Sequence, residues 1–86
     1  MITAAMQGES LVIEGRVLVS GPDLIDLLHL GRTVPVFSAG EQSGEAELEG
    51  NLIRVTGENP YQIRKKYLFG LLEGRVPEII IHGVGS

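Results

Sequence analysis

One stretch of this chain returns, altered, in its second half, and that return constrains the fold more than any single motif. Gly8-Glu9-Ser10-Leu11-Val12-Ile13-Glu14-Gly15-Arg16-Val17-Leu18-Val19-Ser20-Gly21-Pro22 reads against Gly44-Glu45-Ala46-Glu47-Leu48-Glu49-Gly50-Asn51-Leu52-Ile53-Arg54-Val55-Thr56-Gly57-Glu58-Asn59-Pro60. Each copy sets two apolar runs around a Glu-Gly pair. Each then reaches a proline, a leucine-rich stretch, a glycine and a further apolar run. Self-similarity at a fixed spacing implies two copies of one supersecondary unit, stacked to bury a shared core.

The first unit places Leu11-Val12-Ile13 and Val17-Leu18-Val19 on either side of Glu14-Gly15. Apolar runs separated by a dipeptide ending in glycine predict a tight hairpin, because glycine accepts the positive φ that such turns require. The second unit repeats the device around Glu49-Gly50. A two-residue turn there pairs Glu45 with Arg54 and Ala46 with Ile53. The first hairpin is apolar on both faces and is expected to be covered on both sides. The second alternates and is expected to keep one wet face.

Each hairpin leads to a helix. Ser20-Gly21-Pro22-Asp23 supplies a cap, a proline at the first helical position and an acid in the first turn. Asn59-Pro60-Tyr61-Gln62 supplies the same signals, with Gln three residues after the cap. The helices are predicted over Pro22–Leu30 and from about Pro60 to Glu73, ending at Gly31 and Gly74. Final strands follow at Val34–Ser38 and Glu78–His82. The fold class is α+β: two ββαβ repeats forming one mixed sheet or a small barrel with two helices. The alternative is the ferredoxin-like order βαββαβ, if each hairpin is one long bent strand. Residues 1–86 form a single domain, with repeat 1 at about 8–39, a linker at 40–44 and repeat 2 at about 44–83.

A single domain of 86 residues hides only about 60–65% of the surface that its unfolded chain exposes. With 43% hydrophobic residues, the chain has more apolar material than so small a monomer easily covers, which predicts a homo-oligomer or a protein partner. It has no cysteine, hence no disulfide. The first residues lack the basic start and apolar core of a secretory signal, and no apolar run reaches the roughly 20 residues that span a bilayer. A cytoplasmic location and no membrane partner are expected. The formal charge is −4. Residues 1–50 carry Arg16 and Arg32 against Glu9, Glu14, Asp23, Asp26, Glu41, Glu45, Glu47 and Glu49. Residues 51–86 carry Arg54, Arg64, Lys65, Lys66 and Arg75 against Glu58, Glu73 and Glu78. The asymmetry fits complementarity between the two halves, or an anionic partner for the second.

Residues suited to catalysis are sparse. His29 and His82 lie far apart with no metal-ligand spacing, and no serine sits in a nucleophile elbow. No catalytic residue, metal or cofactor is expected; an enzyme would need a pocket joining His29 or His82 to a carboxylate. The second helix is richer. On a helical wheel Ile63, Tyr67, Leu68, Leu71 and Leu72 form an apolar arc opposite Gln62, Lys65, Lys66 and Glu73. Phe69 falls among the polar residues and Arg64 on the arc, while Gly70 leaves room for a partner's backbone. An exposed ring and a snorkelling arginine account for this pattern, and so does a contact surface. The candidate binding surface is Arg54, Arg64, Lys65, Lys66 and Phe69. The function expected is a non-enzymatic, self-associating interaction or assembly module. RNA binding by the same residues is the alternative, because cations beside an aromatic ring also suit stacked bases.

Three resemblances carry that alternative. Glu9 to Val76 resembles the non-catalytic N-terminal domain of archaeal tRNA-splicing endonucleases, through the hairpin Leu11–Val19, the short helix Asp23-Leu24-Ile25-Asp26-Leu27-Leu28 and the stretch Tyr67-Leu68-Phe69-Gly70-Leu71-Leu72-Glu73-Gly74. That resemblance implies a structural role in an RNA-processing assembly. Ile53-Arg54-Val55, Pro60, Gly74 and Glu78-Ile79-Ile80-Ile81-His82-Gly83-Val84-Gly85 are similar to the start of Alba-type RNA-binding proteins and their RNase P relatives. Leu48-Glu49-Gly50 to Lys65 resembles translation-initiation-factor domains.

Overall fold

The computed structural model describes residues 2–57 and 60–83, the last two through their backbone alone. These residues form strands β1 (Ile2–Gln7), β2 (Ser10–Ile13) and β3 (Val17–Val19), helix α1 (Gly21–Leu30), strands β4 (Val34–Ser38), β5 (Glu41–Glu49), β6 (Leu52–Gly57) and β7 (Tyr61–Arg64), helix α2 (Lys65–Leu72), and strand β8 (Ile79–Gly83). Every strand pairs antiparallel with the next in sequence, and β8 returns to β1 through Ile2 opposite Ile81 and Ala4 opposite Ile79. The sheet is a closed barrel.

Alternation builds it. Successive side chains on a strand point to opposite faces. Leu11 and Ile13, Val17 and Val19, Val34 and Val36, Ile53 and Val55, Tyr61 and Ile63, and Ile79 and Ile81 are all buried, each pair two residues apart. Ala4 and Ala46 join them as small residues where bulky neighbours crowd the axis. Each larger aliphatic side chain so buried contributes about 1.5–3 kcal/mol.

Both helices leave the barrel at the same end, because β3 and β7 run in the same direction. Leu24, Leu27 and Leu28 of α1 and Leu68 and Leu71 of α2 close that end as part of the core. The start and stop signals of α1 act as the sequence suggests. Ser20 Oγ accepts from the Asp23 N–H (3.4 Å) and donates to the Asp23 carboxylate (2.9 Å). Gly31 stands at φ 66° and its N–H meets the Asp26 carbonyl. At the end of α2, Gly74 takes φ 73°. The N–H groups of Gly74 and Arg75 satisfy the carbonyls of Leu71 and Gly70 at 3.1 and 3.0 Å.

Several expectations change. The class is α+β, but the sheet is antiparallel throughout, not mixed, and the order is not βαββαβ. Three strands precede each helix, so residues 2–38 and 41–83 each read βββαβ rather than ββαβ. The quoted sequence likeness aligns β2–β3 with β5–β6, one strand out of step with that order. The second helix begins at Lys65, not Pro60. Tyr61 and Ile63 are buried while Gln62 and Arg64 point outward, and pairing of Ile53 with Ile63 and Val55 with Tyr61 outweighs the local helix signals. Asn59, the expected cap, lies outside the described residues. Residues 40–44 are not a linker: Ala39 and Gly40 (φ 53° and 81°) form a tight turn, and β5 begins at Glu41. The turn at Glu14-Gly15 (φ 56° and 70°) takes in Arg16, leaving Ile13 opposite Val17. The next turn is Gly50-Asn51, so Glu47, not Glu45, faces Arg54, and Ala46 faces Val55. That two-residue shift in pairing keeps the expected inward set, because strand faces repeat every second residue. The outer face of β2–β3 is not covered, and Leu18 is 37% exposed.

Gly44 and Gly57 face each other across β5 and β6. A Cβ on Gly44 would collide with the Thr56 carbonyl oxygen, and one on Gly57 with the Ser43 carbonyl oxygen. Beside them the β4–β5 register slips between Val36 and Phe37, a bulge that bends the sheet. Gly44→Ala is expected to destabilise the fold by at least the 1–3 kcal/mol typical of overpacking. Thermal unfolding checks this; an unchanged midpoint would contradict so close an approach of the two strands.

Candidate functional site

The expected binding residues gather where β6, β7 and α2 meet. With Ile53 and Ile63 turned inward, Leu52 and Arg54 on β6 and Gln62 and Arg64 on β7 must face out. Leu52 lies directly opposite Arg64, and Arg54 opposite Gln62. The helix begins immediately after Arg64, and the Lys65 N–H is tied to the Asn51 carbonyl (2.8 Å), fixing α2 against the β5–β6 turn. Phe69 follows Lys65 by one helical turn and shares its face. The Lys65 ammonium stands 5.8 Å from the Phe69 ring centre, and the Lys66 ammonium 5.2 Å from that of Tyr67.

Asn51, Leu52, Arg64, Lys65, Lys66 and Phe69 thus line one open groove. Four of the five expected residues are brought together there. Arg54 is not among them; it lies further along the outer face of β6 in an ion pair with Glu49 (3.2 Å). Phe69 does not stand out among the polar residues, because its ring is half-buried against the core. Tyr67, expected on the apolar arc, is 46% exposed. Both differences follow from the later helix start, which removes Ile63 from the helical wheel. Gly70 is buried, and a Cβ there would meet Val76 at an ordinary 3.6 Å, so it does not open a path for a partner's backbone.

Charge on this side of the barrel is divided by strand. Arg64, Lys65 and Lys66 take part in no ion pair among the described residues, whose salt bridges are Arg16–Glu14, Arg54–Glu49 and Arg75–Glu73. Glu45, Glu47 and Glu49 face outward from β5, since Ala46 is turned inward. Two strand spacings, about 10 Å, separate β5 from β7.

A second polar cluster, with no signal of its own in the sequence, stands at the end of the barrel opposite the helices. The buried Tyr61 donates its hydroxyl hydrogen bond to Glu14 Oε2 (2.9 Å), and the same oxygen holds Arg16 at 3.3 Å. Burial, then the bond to Glu14, pushes the Tyr61 phenol above its ordinary 10.0. Contact with Tyr61 and the charge of Glu14 push the Arg16 guanidinium up as well. Beside them Ser38, Ser43, Thr56 and Gly57 border a cavity of about 20 Å³, room for one water. This cluster was hidden because Tyr61 reads locally as part of a helix.

His29 is exposed at the end of α1 and shares a groove with Glu9 and Leu72, but no hydrogen bond joins it to Glu9. The His82 side chain lies outside the described residues. Among the described residues no three His, Cys, Asp or Glu side chains cluster as metal ligands would, and no helix is long and apolar enough to cross a membrane. The barrel axis is occupied by Leu11, Ile13, Ile53, Tyr61 and Ile63, so a bound molecule must use the outer surface. No family model, curated protein or solved structure matches the chain.

Tyr61→Phe is expected to cost about 1.5–3 kcal/mol at neutral pH, the worth of a hydrogen bond to a charged group. A raised phenol value means the folded state favours the protonated ring. The contribution is therefore full below 10.0 and is lost as pH rises through the raised value. Denaturant unfolding of both proteins at neutral and strongly alkaline pH should show the gap closing. A gap independent of pH would contradict the bond.

Proposed function

We propose that this chain is a non-catalytic interaction and assembly module that associates with itself, with the α2 groove as its contact surface. One observation carries the reading: Arg64, Lys65, Lys66 and Phe69 converge on a single groove, and no carboxylate among the described residues pairs with its cations. Arginine and aromatic side chains are favoured anchors at protein interfaces. The filled barrel axis supports the same reading, because it directs binding to the outside. Construction by internal duplication belongs to this proposal, supported by the recurrence of βββαβ.

RNA binding is the second reading, favoured by the cation–ring contacts of Lys65 with Phe69 and Lys66 with Tyr67. The two readings part under salt and substitution. For a protein contact, light scattering across micromolar concentrations should show association, and Phe69→Ala should weaken it by about tenfold or more. For RNA, titration with structured and single-stranded oligonucleotides should show affinity falling steeply with salt, and Lys65→Ala with Lys66→Ala should flatten that slope. A monomer at every concentration that binds no RNA would end both readings.

A further inference from the structure

Strands β5 and β6 are each paired along both edges, so a second copy can approach them only through their outer face. The outer face of β5–β6–β7 has a pattern that suits itself. Glu45, Glu47 and Glu49 form an acidic stripe along β5. Arg64, Lys65 and Lys66 form a basic stripe at the junction of β7 and α2. Between them runs β6, with Leu52 and Arg54 facing out. Among the described residues only the Arg54–Glu49 pair joins the acidic stripe to a cation.

We infer that this face is the interface of a homodimer whose two-fold axis crosses β6 obliquely, placing the acidic stripe of each copy against the basic stripe of the other. The inference rests on the interaction-module reading and names the partner as a second copy. Glu49 stands level with Arg64 through Leu52, while Glu47 and Glu45 lie one and two pairs further along the strands, so an axis parallel to the strands would set only Glu49 against a cation. A two-fold axis lying in the interface and oblique to the strands, midway between the two groups, exchanges them, and each then meets its opposite twice, as an isologous contact requires. An axis across the strands would set acid against acid. Leu52, between the stripes, and the half-buried Phe69 provide apolar contact near the seam. A polyanion fits less well, because a strand laid in the groove would bring its phosphates within about 10 Å of the β5 carboxylates, one Debye length at 0.1 M salt.

The test reverses one stripe at a time. One variant carries Arg64→Glu, Lys65→Glu and Lys66→Glu. A second carries Glu45→Lys, Glu47→Lys and Glu49→Lys. A third carries all six changes. Circular dichroism checks that each folds, and sedimentation at low salt reads the mass. The wild type should dimerise at low salt and dissociate near 1 M salt, where screening shortens to about 3 Å. Each single-stripe variant should dimerise at least about tenfold more weakly, because like charges now meet. An equimolar mixture of the two should form a one-to-one dimer. The six-fold variant should dimerise with itself, which also guards against loss of fold as the cause. If both single-stripe variants dimerise as the wild type does, this interface is wrong while self-association through another surface stands. If the wild type is monomeric at every concentration and salt, self-association fails and the interface with it. If instead the monomer binds a single-stranded oligonucleotide and the first variant does not, the groove serves RNA and the dimer is refuted.

Discussion

The pairing of β8 with β1 is the contact on which the rest depends. It joins the two ends of the described chain through Ile2 with Ile81, Thr3 with Ile80 and Ala4 with Ile79. Without it the meander would be an open sheet with two unpaired edges, and Ala4, Ile79 and Ile81 would lose their cover. Closure converts a set of short, half-buried strands into a core enclosed on all sides. In a domain of 86 residues, where surface is large relative to volume, that is the economical way to bury enough apolar area without a disulfide.

Closing a small barrel demands sharp bending and sealed ends, and particular residues meet each demand. The close approach of Gly44 and Gly57, next to the slip between Val36 and Phe37, lets β5 and β6 draw together where a side chain would hold them apart. The leucines of α1 and α2 seal one end. At the other, Tyr61 fills the interior with its ring and reaches Glu14 with its hydroxyl. Glu14 holds a left-handed backbone at φ 56°, a position that favours glycine or asparagine. Its two side-chain contacts offset part of that cost.

Much of this was legible where local and tertiary preferences agree. Ser20, Pro22 and Gly31 bracket α1 as read, and the period-two pattern of β6 showed its inward face. The reading failed where the two conflict. Pro60 and Gln62 resemble a helix start, yet Tyr61 and Ile63 are worth more inside the barrel than in the first turn of a helix. β1 carries little strand signal of its own, because Ala4 and Ala5 have low strand propensity; its pairing with both β2 and β8 supplies what the residues lack. The cations of the candidate site were identifiable by type and spacing. Their shared groove was not, because it depends on the Asn51 carbonyl holding the start of α2, a contact set by closure rather than by local sequence.

The division of charge along the chain acquires spatial meaning through the meander. The acidic first half ends at residue 50, and residues 50–51 are the β5–β6 turn. In a fold with long crossovers, such a boundary would scatter the two kinds of charge. Here consecutive strands are neighbours, so the boundary in sequence becomes a seam on the surface, with carboxylates on β5 and cations on β6, β7 and α2. On the far side, Ala5, Val12, Leu18 and Phe37 face each other in one outward apolar row across β1 to β4. The outer surface is thus polarised between an apolar half and a charged half. Glu14 with Arg16 and Glu73 with Arg75 neutralise each other elsewhere, whereas Arg64, Lys65 and Lys66 have no paired carboxylate among the described residues, and the proposed self-recognition draws on that difference.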